Sequence, residues 1–208
     1  MTRSIRPLPP PVRPRVAPSS SSFRSNPLGL AEFTLSRKDP AYVGRAKAVR
    51  DGSDEVKAEV KAVESALAKV KPEFAGRAEK AGLGSTIFAV KPGDGSAREQ
   101  AASCQKVLGG WANIANEYAT KRYRSNLINW GMLPFIYKDG DKNLPFTNGD
   151  YVFIPEVKKM IAEKLPVVKA YAVKADGSVN EFELSVGELT DDERKIILAG
   201  CLINFYKA

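Results

Sequence analysis

The sequence predicts an α/β fold whose central sheet is mostly parallel. Between residues 85 and 137, runs of strand-forming residues alternate with stretches of helical spacing, in the order strand, helix, strand, helix, strand. This alternation is typical of parallel strands joined through helices. In addition, the 208 residues are 43% hydrophobic and 27% charged, which is ordinary for a globular chain with one well-buried domain.

The most regular helical pattern lies ahead of this region. From Asp54 to Lys71, five apolar residues recur at spacings of four and three, and Glu and Lys fill many of the other positions. We expect Asp54 to be the N-cap and Pro72 to end the helix. A helix that packs one face on the core is the favoured interpretation, and a coiled-coil seam is the alternative, for which the segment is short.

The alternating region begins with a strand at 85–90, which a Pro- and Gly-containing turn at 91–97 separates from a helix at 98–108. The remaining predicted elements are a strand at 111–114, a helix at 117–130 closed by Gly131, a strand at 132–137, short strands at 149–154, 167–173 and 181–184 with a turn at Asp176-Gly177, and a last helix capped by Thr190 and running to Tyr206.

Residues 1–19 form a Pro-, Arg- and Ser-rich extension that we expect to be disordered, because such a composition buries too little apolar surface to offset the entropy of ordering. A transit peptide and a misassigned gene start are alternatives; the prolines disfavour the amphipathic helix that a transit peptide forms. We expect residues 20–208 to form the folded domain.

Composition excludes several functions. The chain has no histidine, which excludes Ser-His-Asp and Cys-His catalysis and histidine metal ligands. Its two cysteines, Cys104 and Cys201, are too few for an iron–sulfur cluster or a structural zinc; we expect both to be buried on apolar helix faces. No apolar run approaches the roughly 20 residues of a membrane span, so we expect no membrane partner.

The net charge of +8 is unevenly distributed. Residues 1–24 contain five arginines and no acidic residue, which leaves +3 for the remainder. A small excess spread over a globular body is a weak electrostatic footprint, so the charge does not favour nucleic acid as the main partner.

The turn at 91–97 is the candidate site. Ser96 lies between a strand and a helix, where free backbone N–H groups of the helix start can hold an anion, and Arg98 follows two residues later. Ser96 as a simple N-cap is the alternative interpretation.

Residues 93–101, which begin within this turn, have the sequence Gly-Asp-Gly-Ser-Ala-Arg-Glu-Gln-Ala. They resemble the signature G-E-G-S-S-R-E-H-A of the aconitase superfamily, specifically of its C-terminal swivelling domain. Further similar segments are Val107-Leu108-Gly109-Gly110, Arg124-Ser125-Asn126-Leu127 through Gly131-Met132-Leu133-Pro134, Ser22-Phe23-Arg24-Ser25-Asn26, and Ala199-Gly200. The resemblance spans about residues 20–208 and also extends to small subunits of isopropylmalate-type dehydratases. It implies a swivelling β/β/α domain.

The resemblance also implies a function. It identifies Ser96 as the base that removes a proton beside a carboxylate of a hydroxy acid, and Arg98 and Arg24 as carboxylate clamps. A 4Fe–4S cluster, acting as Lewis acid on the leaving hydroxyl, is expected on a partner chain or an upstream portion. The chain would then be a small subunit or part of a longer hydro-lyase, incomplete without the iron–sulfur portion, and cytoplasmic or mitochondrial.

Two departures from the family signature bear on the substrate. Ala97 replaces a serine that contacts a substrate carboxylate in the family, and Gln100 replaces a histidine, so citrate and isocitrate are in doubt. A non-catalytic module that binds small carboxylates or phosphates at the Ser96 turn is the rival interpretation. Arg24 as one more arginine of the tail, and Arg124 as a salt-bridged helix residue, are the plain alternatives to functional roles.

Overall fold

A computed structural model of the chain describes residues 26–37, 39–77, 80–140 and 143–207. The predicted extension over residues 1–19 and the candidate clamp Arg24 lie outside these ranges. The helices are α1 (Pro27–Ser36), α2 (Pro40–Asp51), α3 (Asp54–Val70), α4 (Arg98–Val107), α5 (Lys121–Asn129), α6 (Val157–Ala162), α7 (Asp191–Ala199) and α8 (Leu202–Lys207), with a short 3₁₀ turn at Pro72–Phe74. The strands are β1 (Ser85–Ala89), β2 (Gly110–Ala115), β3 (Leu133–Ile136), β4 (Tyr151–Phe153), β5 (Val168–Val173) and β6 (Val179–Leu184).

The strands form two three-stranded sheets. The first is parallel with the order β1-β2-β3, and α4 and α5 connect its strands. The second is antiparallel with the order β4-β5-β6. One antiparallel bridge, between Ile136 and Ser185, joins the end of β3 to the residue after β6. The α/β class and its parallel central sheet are therefore confirmed.

The two sheets share one apolar core. Ile114 and Phe135 of the parallel sheet pack in the same cluster as Ala170 and Leu184 of the antiparallel sheet. Phe135 and Leu184 are fully buried, as expected for the centre of a close-packed interior. A separate cluster, which includes Ala102, Tyr123 and Leu127, lies between α4 and α5.

Helix α3 follows its predicted stripe, with a correction at each end. Val56 and Leu67 are buried as expected, but Val70 is 56% exposed. The predicted N-cap, Asp54, is wrong: the hydroxyl of Ser53 accepts a hydrogen bond from the backbone N–H of Val56 at 3.3 Å, so Ser53 is the cap. Asp54 instead lies in the first helical turn, where its charge suits the helix dipole.

Helix α5 begins four residues later than the predicted Glu117. The N–H groups of Glu117 and Ala119 donate to the carbonyls of Val90 and Pro92, so this segment extends along the end of β1. Thr120 is the N-cap, since its hydroxyl oxygen accepts from the N–H of Tyr123. These tertiary bonds outweigh the helical spacing of residues 117–120.

The predicted last helix is interrupted at Gly200. The capping box of Thr190 and Glu193 is present, but Gly200 has φ 92° and ends α7, and α8 follows separately. Gly131, which was predicted to close the preceding helix, has φ 69°, and a Cβ there would lie 1.6 Å from the carbonyl oxygen of Gly200. The ends of α5 and α7 therefore meet backbone to backbone.

Helices α1, α2 and α6 were not predicted. The first two begin with a capping residue followed by proline, Asn26-Pro27 and Asp39-Pro40, and they pack with α4 around Ala31, Ala46 and Cys104. Among the described residues, no helix combines the length and the apolar composition needed to cross a membrane.

Candidate functional site at the carboxyl edge of the parallel sheet

The carboxyl ends of β1, β2 and β3 lie at one edge of the parallel sheet, and the loops that follow them meet there. In open α/β sheets this edge is where ligands bind. The loop after β1 contains the predicted turn and leads into α4, while the loop after β2 leads into α5.

Gly93 is the fixed point of the turn. It has φ 98°, and a Cβ there would lie 2.6 Å from the Cβ of Tyr123, so only glycine fits against that side chain. Its carbonyl oxygen accepts two hydrogen bonds, from Nε of Arg98 at 3.0 Å and from the hydroxyl of Thr120 at 3.1 Å. The start of α4 and the start of α5 are therefore both bonded to one carbonyl.

Ser96 is exposed and lies directly before the N-cap of α4, which is Ala97. No side chain caps this helix, so the alternative that Ser96 is only an N-cap is wrong. Within the described residues, the Ser96 hydroxyl has no hydrogen-bond partner, and the first bond of the helix runs from the N–H of Ala101 to the carbonyl of Ala97. The N–H groups of the first turn thus remain available beside an exposed serine hydroxyl.

The two charged residues that open α4 have different environments. Arg98 is half-buried, with Nε bound to Gly93. Glu99 accepts a hydrogen bond from the indole N–H of Trp130 at 3.0 Å. The carboxylate is thus turned toward the end of α5, and the guanidinium has its two Nη groups without a protein acceptor in the part of the chain that the structure describes.

A buried polar cluster lies beneath the turn. The Tyr123 hydroxyl accepts hydrogen bonds from the amide nitrogens of Gln105, at 3.2 Å, and Asn113, at 2.8 Å. Burial raises the pKa of Tyr123, so the phenol stays neutral. The side-chain oxygens of Gln105 and Asn113 are buried without a protein partner among the described residues. Nearby, the single proton of the Tyr118 hydroxyl is shared between the carbonyls of Asn113 and Phe135, both at 3.2 Å, and so bridges β2 and β3.

The charge around the edge is mainly basic at the start of α5. That helix begins with Lys121 and Arg122 and has no acidic residue in its first turn, although the helix dipole favours acids there. Lys91, by contrast, is paired with Glu117 at 3.0 Å. An anion near the two helix starts would meet positive charge that has no ion-pair partner among the described residues.

Three further residues named from the sequence are Arg124, Cys104 and Cys201, and the structure gives the surroundings of each. Arg124 has no salt bridge to any described residue: its Nη2 donates to the carbonyls of Val186, at 2.8 Å, and Glu188, at 2.5 Å, and it ties α5 to the loop after β6. Cys104 is buried as expected, and burial raises the pKa of its thiol. Cys201 is only partly buried and lies between α7 and α8, because Gly200 ends the helix that was expected to contain it.

Comparison with known proteins relates this α/β domain to a described family. Residues 52–140 match the family model described as the aconitase C-terminal domain. The chain is also 30% identical over 127 residues to aconitate hydratase A of Rickettsia bellii. The aligned segment covers 60% of this chain and 14% of the relative. The chain thus spans about one seventh of the length of that curated relative. The resemblance to the aconitase C-terminal domain is confirmed.

Among solved structures, the chain is similar to a 3-isopropylmalate dehydratase from Methanocaldococcus jannaschii. The identity is 25%, the alignment covers 62% of this chain and 67% of the other, and the TM-score is 0.35.

Sequence reasoning did not find Thr120 or Tyr123. A threonine before a helical stretch is an N-cap signal, but a predicted helix that begins at Glu117 places Thr120 in the helix interior. Tyr123 reads as one more apolar position of an amphipathic helix, and its contact with Gly93 depends on tertiary structure.

Proposed function

We propose that this chain supplies the proton-transferring and carboxylate-binding groups of an aconitase-type hydro-lyase, which adds water to or removes it from a small hydroxy acid. In this proposal Ser96 is the base, and Arg98 and Arg24 hold substrate carboxylates. One observation carries it: an exposed serine hydroxyl lies at an uncapped helix start, two residues before an arginine whose Nε is held in place.

The position of Ser96 supports the role of base. A serine alkoxide is a costly anion in water, and it needs local stabilisation to form. Free N–H groups at a helix start and a nearby guanidinium favour the anionic form and lower the pKa of such a hydroxyl. The alkoxide would take the proton from the carbon next to the substrate carboxylate, and the same hydroxyl would return it in the reverse direction.

Arg98 is suited to orient that substrate. A planar guanidinium forms two parallel hydrogen bonds to a carboxylate, which defines the angle of the acid relative to Ser96. The substrate would therefore contain a carboxylate beside the carbon that loses the proton. Ala97 offers no hydroxyl to a further carboxylate, so we expect an acid with fewer such contacts than citrate or isocitrate would require.

The described residues of this chain do not fit a 4Fe–4S cluster. Cys104 is enclosed by the apolar cluster of α1 and α2, and Cys201 lies in a different segment, the connection between α7 and α8. No group of three or more cysteine or acidic side chains with a metal-binding arrangement occurs in the described ranges. We therefore place the cluster on a partner chain or another portion of a longer protein, and assign no step of this chain's chemistry to it.

The test is steady-state kinetics of the chain combined with a cluster-bearing large subunit. Ser96→Ala should lower the turnover rate by about 10²–10⁴-fold and leave substrate binding nearly unchanged, since a base acts in the transition state. Arg98→Lys should weaken both, because a point charge cannot form the two-pronged contact. Ser103→Ala is the matched control: Ser103 also lies in α4, and its hydroxyl donates to the carbonyl of Gln100 within that helix.

The rival function, a non-catalytic module for small carboxylates or phosphates, is favoured by the openness of the turn, since Ser96 and its neighbours Gly95 and Ala97 are all exposed. The same kinetics separate the two. If the Ser96→Ala complex turns over at the unmutated rate while Arg98→Lys abolishes dicarboxylate binding, the binding module is the better description.

A further inference from the structure

We propose that Thr120 is a positioning residue for Arg98: through the Gly93 carbonyl it holds the Nε edge of the guanidinium, so that Arg98 presents its two Nη groups end-on to a carboxylate. The choice of a carboxylate as the ligand rests on the proposed function. The contacts from which the role of Thr120 is argued all belong to residues that the structure describes.

The Thr120 hydroxyl makes two bonds that fully define its orientation. Its oxygen accepts from the N–H of Tyr123 at 3.3 Å, and its proton goes to the carbonyl of Gly93 at 3.1 Å. A hydroxyl has one donor and two acceptor positions, so these bonds are compatible. The residue that caps α5 therefore also holds the turn that leads into α4.

Backbone bonds hold the chain before Gly93, whereas the direction of the Gly93 carbonyl itself depends on the donors that reach it. The adjacent segment is bonded along its length, from Glu117 to Val90 and from Ala119 to Pro92. Tyr123 closes the space beneath the glycine, and its own hydroxyl is held by two buried amides. Among the described residues, Thr120 is the only donor besides Arg98 to this carbonyl oxygen, so its hydroxyl holds the acceptor in place for Arg98.

Because Nε of Arg98 is bound to Gly93, the side-on edge of the guanidinium, formed by Nε and one Nη, is no longer open to a ligand. The edge formed by the two Nη groups remains. A carboxylate can bind that edge with two parallel hydrogen bonds. This predicts end-on recognition, with the acid approaching along the axis of the side chain.

The experiment is nitrogen-15 NMR of the full chain with malonate as the probe. The Nε–Hε signal of Arg98, assigned by its loss in Arg98→Lys, should exchange with water at least about tenfold more slowly than that of exposed Arg122, the factor expected for one hydrogen bond from a charged group. Malonate should shift the Nη signals of Arg98 and leave its Nε–Hε protected.

Variants isolate the hydroxyl of Thr120. Thr120→Val should remove the protection of Arg98 Nε–Hε and weaken malonate binding several-fold, and Thr120→Ser should restore both. Thr190→Val is the control for loss of an N-cap, since Thr190 caps α7 and has no part in the turn; it should change neither property.

Three results would overturn the proposal. One is a wild-type Arg98 Nε–Hε that exchanges as fast as that of Arg122, which does not depend on the folding of any Thr120 variant. Another is a folded Thr120→Val chain with full protection and unchanged malonate affinity, which reduces Thr120 to a helix cap. The third is malonate that fails to shift the Nη signals. None of these depends on turnover, so they are distinguishable from failure of Ser96 as the base.

Discussion

The parallel unit (β1–β3 with α4 and α5) and the antiparallel unit (β4–β6) place their polar groups in opposite ways. In the parallel unit, amides and a phenol are bonded to one another below the surface, under a turn whose helix N–H groups are free. In the antiparallel unit, Phe153 and Tyr171 pack edge-on against Phe74 of the 3₁₀ turn, and the charges pair at the surface.

The difference separates two uses of polar side chains. Buried bonds in the parallel unit hold backbone turns in defined positions, which a site needs from its support. Surface pairs in the antiparallel unit add little to stability, because water competes for them. The segment that matches the aconitase C-terminal domain, residues 52–140, contains the whole parallel unit and ends before β4.

The largest expected effect is at the backbone contact of the parallel unit. Gly131→Ala should destabilise the fold by about 3–5 kcal/mol, since it combines a left-handed conformation with a Cβ placed against Gly200. Gly177→Ala, at the hairpin of the antiparallel unit, has φ 80° and open space around the new Cβ, so it should cost about 1–2 kcal/mol. Urea denaturation measures both, and equal losses would show that the contact with Gly200 is not tight.

A smaller effect is expected when a buried hydroxyl is removed from each unit. Tyr123→Phe leaves the amides of Gln105 and Asn113 without an acceptor and should cost about 2 kcal/mol. Tyr171→Phe removes the acceptor of Lys71, but that ammonium also pairs with Glu181 and reaches water, so the loss should be under about 1 kcal/mol. Equal free energies of unfolding for the two variants would contradict the contrast between the units.

Most of the order of elements in both units could be predicted from the sequence. Apolar runs and helical spacing are local properties, and Gly131, the Asp176-Gly177 turn and the capping box of Thr190 are local signals. The apolar stripe of α3 is likewise a local signal, and it fails only at Val70, which is 56% exposed in the described part of the chain. Helices α1 and α2 had the same kind of start signal in Asn26-Pro27 and Asp39-Pro40, and these were overlooked.

What could not be predicted depends on contacts between distant segments. Residues 117–120 have helical spacing, yet they pair with the end of β1 because backbone acceptors at Val90 and Pro92 are within reach. The break at Gly200 follows from its approach to Gly131. At the candidate site, Ser96 and Arg98 were found by motif, but the bond that orients Arg98 comes from the Gly93 carbonyl, and Thr120 enters the site only through the fold.

The smallest expected effect is a pH dependence confined to the antiparallel unit. Hydrogen bonds from Lys169 and then Lys71 lower the pKa of Glu181 below its ordinary value of 4.5. A carboxyl whose pKa is lower in the folded state stabilises the fold at pH values above the pKa of the unfolded chain, and this contribution is lost as the pH falls through the pKa of the folded state.

Glu181→Gln should therefore lower the melting temperature at about pH 7 by at most about 2 °C, since the group is exposed. As the pH falls through the lowered pKa of the folded state, the difference from wild type should shrink toward zero, because the wild-type carboxyl becomes protonated and no longer pairs. Glu183→Gln, on the same strand and without an ion pair among the described residues, is the matched control and should show no such trend. A Glu181→Gln deficit that stays constant from pH 7 to pH 3 would mean that the carboxylate contributes through packing, and that the surface pairs of this unit do not act as separate charges.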